Sequence, residues 1–171
     1  MHVYGIVGRK NTGKTHLVTR LVSAAVARGL TVSTVKHAHH AFDVDQPGKD
    51  SWLHREAGAS EVLVASASRW ALLHEHRDAP EPALPDLLAR LAPCDLVLVE
   101  GFKRGDHAKL EVYRACCGQP PLGTEDAQVE AVATDDPAAM QSALPVLPLD
   151  DTEAVLDFIL GRVTRHAASR R

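Results

Sequence analysis

The chain has 171 residues, 45% of them hydrophobic and 24% charged, with a formal net charge of −3 and an isoelectric point near 6.3. That length and apolar content suit a single globular domain over residues 1–171 with a core of its own, and the weak negative charge excludes the general basic field on which nucleic-acid binding depends. No apolar run reaches the ~18 residues of a membrane span, and the N-terminus runs straight into a strand-like segment. The expectation is a cytoplasmic protein with no membrane and no nucleic-acid partner.

Taken in chain order, residues 2–7 and 31–36 (TVSTVK) read as short β-branched strands. Between them Leu17, Val18, Leu21, Val22, Ala25 and Val26 recur at helical spacing, and Gly29 then stops the helix. A strand–helix–strand unit of this kind implies parallel pairing. Further strands are predicted at 61–65 (EVLVA), 69–73 (RWALL), 95–99 (DLVLV), 110–113 (LEVY) and 129–133 (VEAVA), with helices at 51–57, 83–92 and 151–166. The segments 37–50 and 114–127 are long polar loops. Cys94, Cys116 and Cys117 have neither disulfide nor zinc-ribbon spacing and read as idle or buried thiols. The fold class is α/β, P-loop NTPase-like, with a mostly parallel (mixed) central sheet flanked by helices.

The stretch GRKNTGKT, Gly8 to Thr15, fits G-x-x-x-x-G-K-[ST] and lies between an apolar strand and an amphipathic helix, the context its mechanism requires. Backbone N–H groups of Gly8, Arg9, Lys10, Asn11, Thr12 and Gly13 and the N-terminal turn at His16 would face a phosphate. Lys14 would reach the β- and γ-phosphates, and the Thr15 hydroxyl would ligate Mg²⁺. In DLVLVEG, Asp95 and Glu100 lie about 16 Å apart along an extended strand. Ligands of a parallel sheet bind at its carboxyl edge, which selects Glu100 for the metal and leaves Asp95 at the start of the strand.

The loop KHAHHAFDVDQPGKDS collects Lys36, His37, His39, His40, Asp43, Asp45, Lys49 and Asp50 beyond the second strand. It could bind a transition metal through its histidines and aspartates, or an anion through His and Lys donors, or be a solvated polar loop. Lys103, Arg104 and Lys109 downstream add cations that favour a second phosphate-bearing molecule. Thr15, Glu100 and Asp45 are the candidate metal ligands. Late in the order, VEAVATDD ends a strand with Asp135, which could accept hydrogen bonds from guanine or could cap the segment before Pro137; the sequence leaves both open.

These stretches together, GRKNTGKT, KHAHHAFDVDQPGKDSWLHREAGASEVLVAS with RWALL, and DLVLVEGFKR with KLEVYR, resemble the MobB family over about residues 1–135. The resemblance implies a SIMIBI-class GTP-binding adaptor of molybdenum cofactor biosynthesis. Such a protein is a homodimer that assists a MobA-type guanylyltransferase in attaching GMP to molybdopterin, with GTP and Mg²⁺ as cofactors and weak GTPase activity at most. It also implies that Gly8, Gly13, Lys14 and Thr15 hold phosphates and metal, that Glu100 is the acidic strand end, and that residues 37–50 form the distinctive loop. Two other classes share parts of the pattern. A small-molecule kinase has the phosphate loop but carries an arginine-rich lid, where this chain has scattered arginines, and a metal-delivery GTPase would use the histidines.

Overall fold

The computed structural model describes residues 1–38 and 42–168, with side chains through Arg162. The elements are β1 (His2–Val7), α1 (Lys14–Ala27), β2 (Val32–Lys36), α2 (Asp50–Glu56), β3 (Glu61–Ala65), β4 (Trp70–His74), α3 (Leu84–Leu88), β5 (Leu96–Glu100), β6 (Lys109–Tyr113), β7 (Val129–Thr134), β8 (Val146–Pro148) and α4 (Thr152–Ala168). The chain divides into two compact units, one of Met1–His37 with Leu88–Arg171 and one of Ala38–Leu87. Among the described residues no helix is long and apolar enough to cross a membrane.

The first unit is built on a six-stranded sheet in the order β2-β5-β1-β6-β7-β8. Every pairing in it is parallel. The antiparallel pairing that a mixed sheet would have contained falls in the second unit. Helices α1 and α4 cover one face, where Leu17, Leu21 and Ala25 meet Val155, Leu156 and Ile159 over Tyr4, Ile6, Leu98, Leu110 and Val112. Strand β5 reads LVLV without alternation because Val97 and Val99, which point to the other face, are as buried as Leu96 and Leu98. On that other face Glu111 is fully buried, and its two carboxylate oxygens accept from the backbone N–H groups of Leu122 and Gly123 at 2.8 and 2.9 Å. The Lys109 ammonium is also buried, donating to Gly105 O at 2.6 Å and to Asp126 at 2.9 Å. The cation expected to face a second phosphate is therefore held in an internal ion pair.

Because the strands are parallel, their carboxyl ends share one edge. Residues 8–13 leave β1 there, Lys36 ends β2 and His37 follows it, Glu100 ends β5, Arg114 follows β6 and Asp135 follows β7. At the opposite edge Asp95 accepts from Thr31 N and Oγ1 at 2.8 and 2.6 Å, the strand-start position expected of it. Strand β8 is missing from the sequence reading, since three residues ending in proline carry too little pattern. The helix expected over 83–92 shortens to Leu84–Leu88 and ends in an i to i+3 turn, Leu91 N to Leu88 O; Pro93 disfavours helical backbone at the residue before it.

The second unit pairs β3 with β4 as a two-stranded antiparallel ribbon in the register Glu61 to His74 and Leu63 to Leu72. Arg55 on α2 gathers Asp43, Asp45 and Glu75 around its guanidinium at 2.7, 3.4 and 2.9 Å. The ribbon leaves Leu63, Val64, Trp70 and Leu72 exposed. All three cysteines are free thiols.

Candidate functional site at the carboxyl edge

Residues 8–13 leave β1 in a conformation that few other sequences could hold. Gly8 has φ +148°, and a Cβ placed on it would lie 2.4 Å from Val112 O on the neighbouring strand. Only hydrogen fits there. Asn11 and Gly13 also take positive φ, 64° and 97°, and Gly13 opens directly into α1. Lys10, Asn11 and His16 are exposed, whereas the Thr12 side chain is buried and its hydroxyl donates to Arg9 O at 3.1 Å. The Lys14 ammonium donates to the same carbonyl at 2.6 Å, folded across the loop. Burial, with the Lys103 and Lys36 charges nearby, lowers the Lys14 pKa from its ordinary value, and Glu100 acts in the opposite direction.

Glu100 is the acidic centre of this edge. Its Oε1 accepts from the Thr15 hydroxyl at 2.8 Å and lies 3.4 Å from Lys36 Nζ, while its side chain is only 13% exposed. Register explains the meeting: Glu100 pairs with Ile6 on one side and Lys36 on the other, so it stands beside the loop that follows β1. A hydroxyl and a carboxylate in contact are hard oxygen donors, the set that suits Mg²⁺. Next along the edge the His37 ring packs on Phe102 with centroids 4.8 Å apart. Gly101 permits this approach, since a Cβ there would lie 2.9 Å from His37 Cβ.

Asp135 is not the turn cap that the sequence left open. That role belongs to Asp136, whose Oδ1 accepts from Ala139 N at 3.1 Å. Asp135 instead accepts from Arg114 Nη1 at 2.8 Å, and Arg114 Nε donates to Thr12 O at 3.1 Å. Arg114 was absent from the sequence reading. Its only signal was a basic residue immediately after a strand, and its meaning depends on β6 lying between β1 and β7.

Asp45, Lys49 and Asp50 belong to the second unit. There Asp45 is engaged by the Ser51 hydroxyl at 2.8 Å and by Arg55, while Lys49 and Asp50 open α2 and are exposed. His39 and His40 lie outside the described residues. Among the described residues no group of three or more His, Cys, Asp or Glu is arranged to hold a metal. A cleft of about 450 Å³ on the first unit is lined by Lys103, Arg104, Asp106, Glu125 and Asp126 among others. Its opposed charges give no field of a single sign.

A family model described as molybdopterin guanine dinucleotide synthesis protein B matches residues 3–135. The molybdopterin-guanine dinucleotide biosynthesis adapter protein of Escherichia coli (strain K12) is 43% identical over 152 residues, covering 87% of this chain and 86% of its own. The adapter protein of the same description from Haemophilus influenzae is 40% identical over 158 residues, covering 91% and 85%. Among solved structures, a MobB protein homolog from Bacillus stearothermophilus superposes with a TM-score of 0.68 at 31% identity, covering 96% of this chain and 99% of that one.

Proposed function

The chain belongs to the MobB family, molybdopterin guanine dinucleotide synthesis protein B, and from that premise we propose that it is an adapter in molybdopterin guanine dinucleotide biosynthesis that binds GTP with Mg²⁺. The observation that carries this reading is the cluster at the carboxyl edge: a loop cradle closed by Gly8, Lys14 folded across it, and the Thr15 hydroxyl on Glu100. In this reading the loop N–H groups and Lys14 bind phosphate. Thr15 and Glu100 supply the oxygen donors that hold Mg²⁺, which neutralises phosphate charge when bound. Asp135 supplies two carboxylate acceptors for guanine N1–H and its 2-amino group.

The same reading makes the protein a presenting partner for a MobA-type guanylyltransferase, with hydrolysis of GTP weak or dependent on that partner. The 37–50 segment, with His37, His39, His40, Lys49 and Asp50, takes a second anion, molybdopterin. Residues 1–171 act as one nucleotide-binding domain in the cytoplasm, and two copies associate. The apolar surface on both strands of the β3–β4 ribbon supports that association, since an isolated two-stranded ribbon is marginal in water.

Calorimetric titration with GTP, ATP and molybdopterin, each with and without Mg²⁺, tests the proposal. GTP should bind more tightly than ATP and more tightly still with Mg²⁺. Equal affinity for the two nucleotides, or binding indifferent to Mg²⁺ in wild type, sinks it. Replacing His37, His39 and His40 together by Ala should spare GTP and lose molybdopterin; tight zinc lost in that triple variant would favour metal delivery instead.

A further inference from the structure

Strand order places Arg114 where no neighbouring strand end could substitute for it. β6 lies between β1, which feeds the phosphate loop, and β7, which Asp135 follows, and the register Tyr113 to Thr134 sets Arg114 alongside Asp135. Its guanidinium reaches both ways, Nε to Thr12 O at 3.1 Å and Nη1 to Asp135 Oδ2 at 2.8 Å. It also lies against the loop itself: a Cβ on Gly13 would stand 3.8 Å from Nε and from Nη2. A guanidinium is a rigid planar fork, so two acceptors bound to it are held at a fixed separation.

The bond to Thr12 does more than anchor an oxygen. The peptide between Thr12 and Gly13 is planar and trans, so fixing its carbonyl toward Arg114 fixes the Gly13 N–H in the opposite direction. The orientation of one loop N–H therefore depends on the side chain that also orients Asp135. We infer that Arg114 is a positioning residue of the nucleotide site, yoking the Asp135 carboxylate to the phosphate loop so that base and phosphate are recognised as one event. This inference rests on the reading above in which Asp135 meets guanine.

Arg114 and Asp135 are each about a third exposed, 34% and 36%. Such a pair adds little to stability, so substitution should move ligand preference without moving the melting temperature. The test is a double-mutant cycle with wild type, Arg114→Ala, Asp135→Asn and the double variant, each titrated with GTP, ATP and inorganic tripolyphosphate. Arg114→Ala should lower the GTP-to-ATP preference by about tenfold and weaken tripolyphosphate a few-fold, whereas Asp135→Asn should lower the preference and leave tripolyphosphate alone. The double variant should prefer GTP no less than Asp135→Asn does. Arg114→Lys keeps the charge but cannot span both acceptors, so it should lose preference as Arg114→Ala does, and it replaces that variant if the alanine protein fails to fold.

Three results would overturn the inference. Unchanged preference and unchanged tripolyphosphate binding in Arg114→Ala would leave Arg114 a surface ion pair. Losses that multiply in the double variant would make the two residues independent. Wild-type GTP preference in Asp135→Asn, with weakened tripolyphosphate in Arg114→Ala, would remove Asp135 as the guanine reader while keeping Arg114 as a loop anchor.

Discussion

Strands β5 and β3 have almost the same composition, LVLVE against EVLVA, and opposite surroundings. In β5 the four apolar side chains are 0–1% exposed, flanked by parallel strands on both sides. In β3 Leu63 is 61% and Val64 45% exposed, and across the ribbon Trp70 is 67% exposed. Local sequence selects a strand in both places; what decides burial is how many elements pack on it. The sheet has met its apolar demand internally, and the charges it buries, Lys109 and Glu111, are paired within the same unit. The ribbon has not, and it keeps Leu63, Val64, Trp70 and Leu72 exposed.

The contrast can be broken most severely in the sheet. Leu98→Ala removes a fully buried side chain from the core between α1 and the strands and should cost about 3 kcal/mol in urea unfolding, whereas Leu63→Ala on the ribbon should stay within about 0.5 kcal/mol. Comparable losses at the two positions would show the ribbon to be as fully packed as the sheet. Next in size is the charged edge. Lys14→Ala should weaken GTP about a hundredfold with the melting temperature unchanged, because Lys14 bonds a loop carbonyl and lies outside the core. A folded Lys14→Ala protein with wild-type affinity would remove the phosphate loop from the proposed function.

If two copies associate through the ribbon as proposed, Trp70→Lys should sediment as a monomer where wild type sediments as a dimer, while shifting monomer stability by about 0.5 kcal/mol or less. Retention of the dimer would move the interface elsewhere. A test confined to acid conditions is a pH slope in the sheet unit. His107 packs so closely on β1 that a Cβ on Gly5 would lie 2.6 Å from its Nε2, and among the described residues neither ring nitrogen has a hydrogen-bond partner. Burial first, then the Lys109 charge, lowers its pKa from 6.5 to about 4. The unfolded chain therefore binds a proton that the folded chain refuses in this window, so His107 leaves stability untouched above pH 6.5 and erodes it as pH falls toward about 4. His107→Phe should flatten that part of a stability profile; an unchanged acid slope would assign it to other groups.

What sequence made legible divides along the same line. The loop between the first strand and helix, the parallel sheet and the placement of Glu100 were readable because each depends on residues close in sequence or on a rule about strand edges: GRKNTGKT is contiguous, and Glu100 ends the strand it sits on. Arg114 was not readable, because its partners Thr12 and Asp135 come together only through the order β1-β6-β7. Lys109 was misassigned for a related reason. A lysine in a polar stretch is ordinarily solvated, and nothing local announces that Asp126 and Gly105 O will close around it. The ribbon strands were placed to within a residue, yet EVLVA and LVLVE could not reveal that one would be covered and the other exposed.

The 2.6 Å bond from Lys14 to Arg9 O makes the loop a competitor for its own ligand. On the proposed reading, a phosphate oxygen that takes the ammonium displaces a neutral carbonyl already in place, and a charged acceptor is roughly twice as strong a partner as a neutral one. That margin is comfortable for a polyanion and slim for a ligand with a single diffuse charge. If the loop holds phosphate as proposed, that competition would favour ligands bringing several phosphate oxygens at once over nucleosides and weak anions.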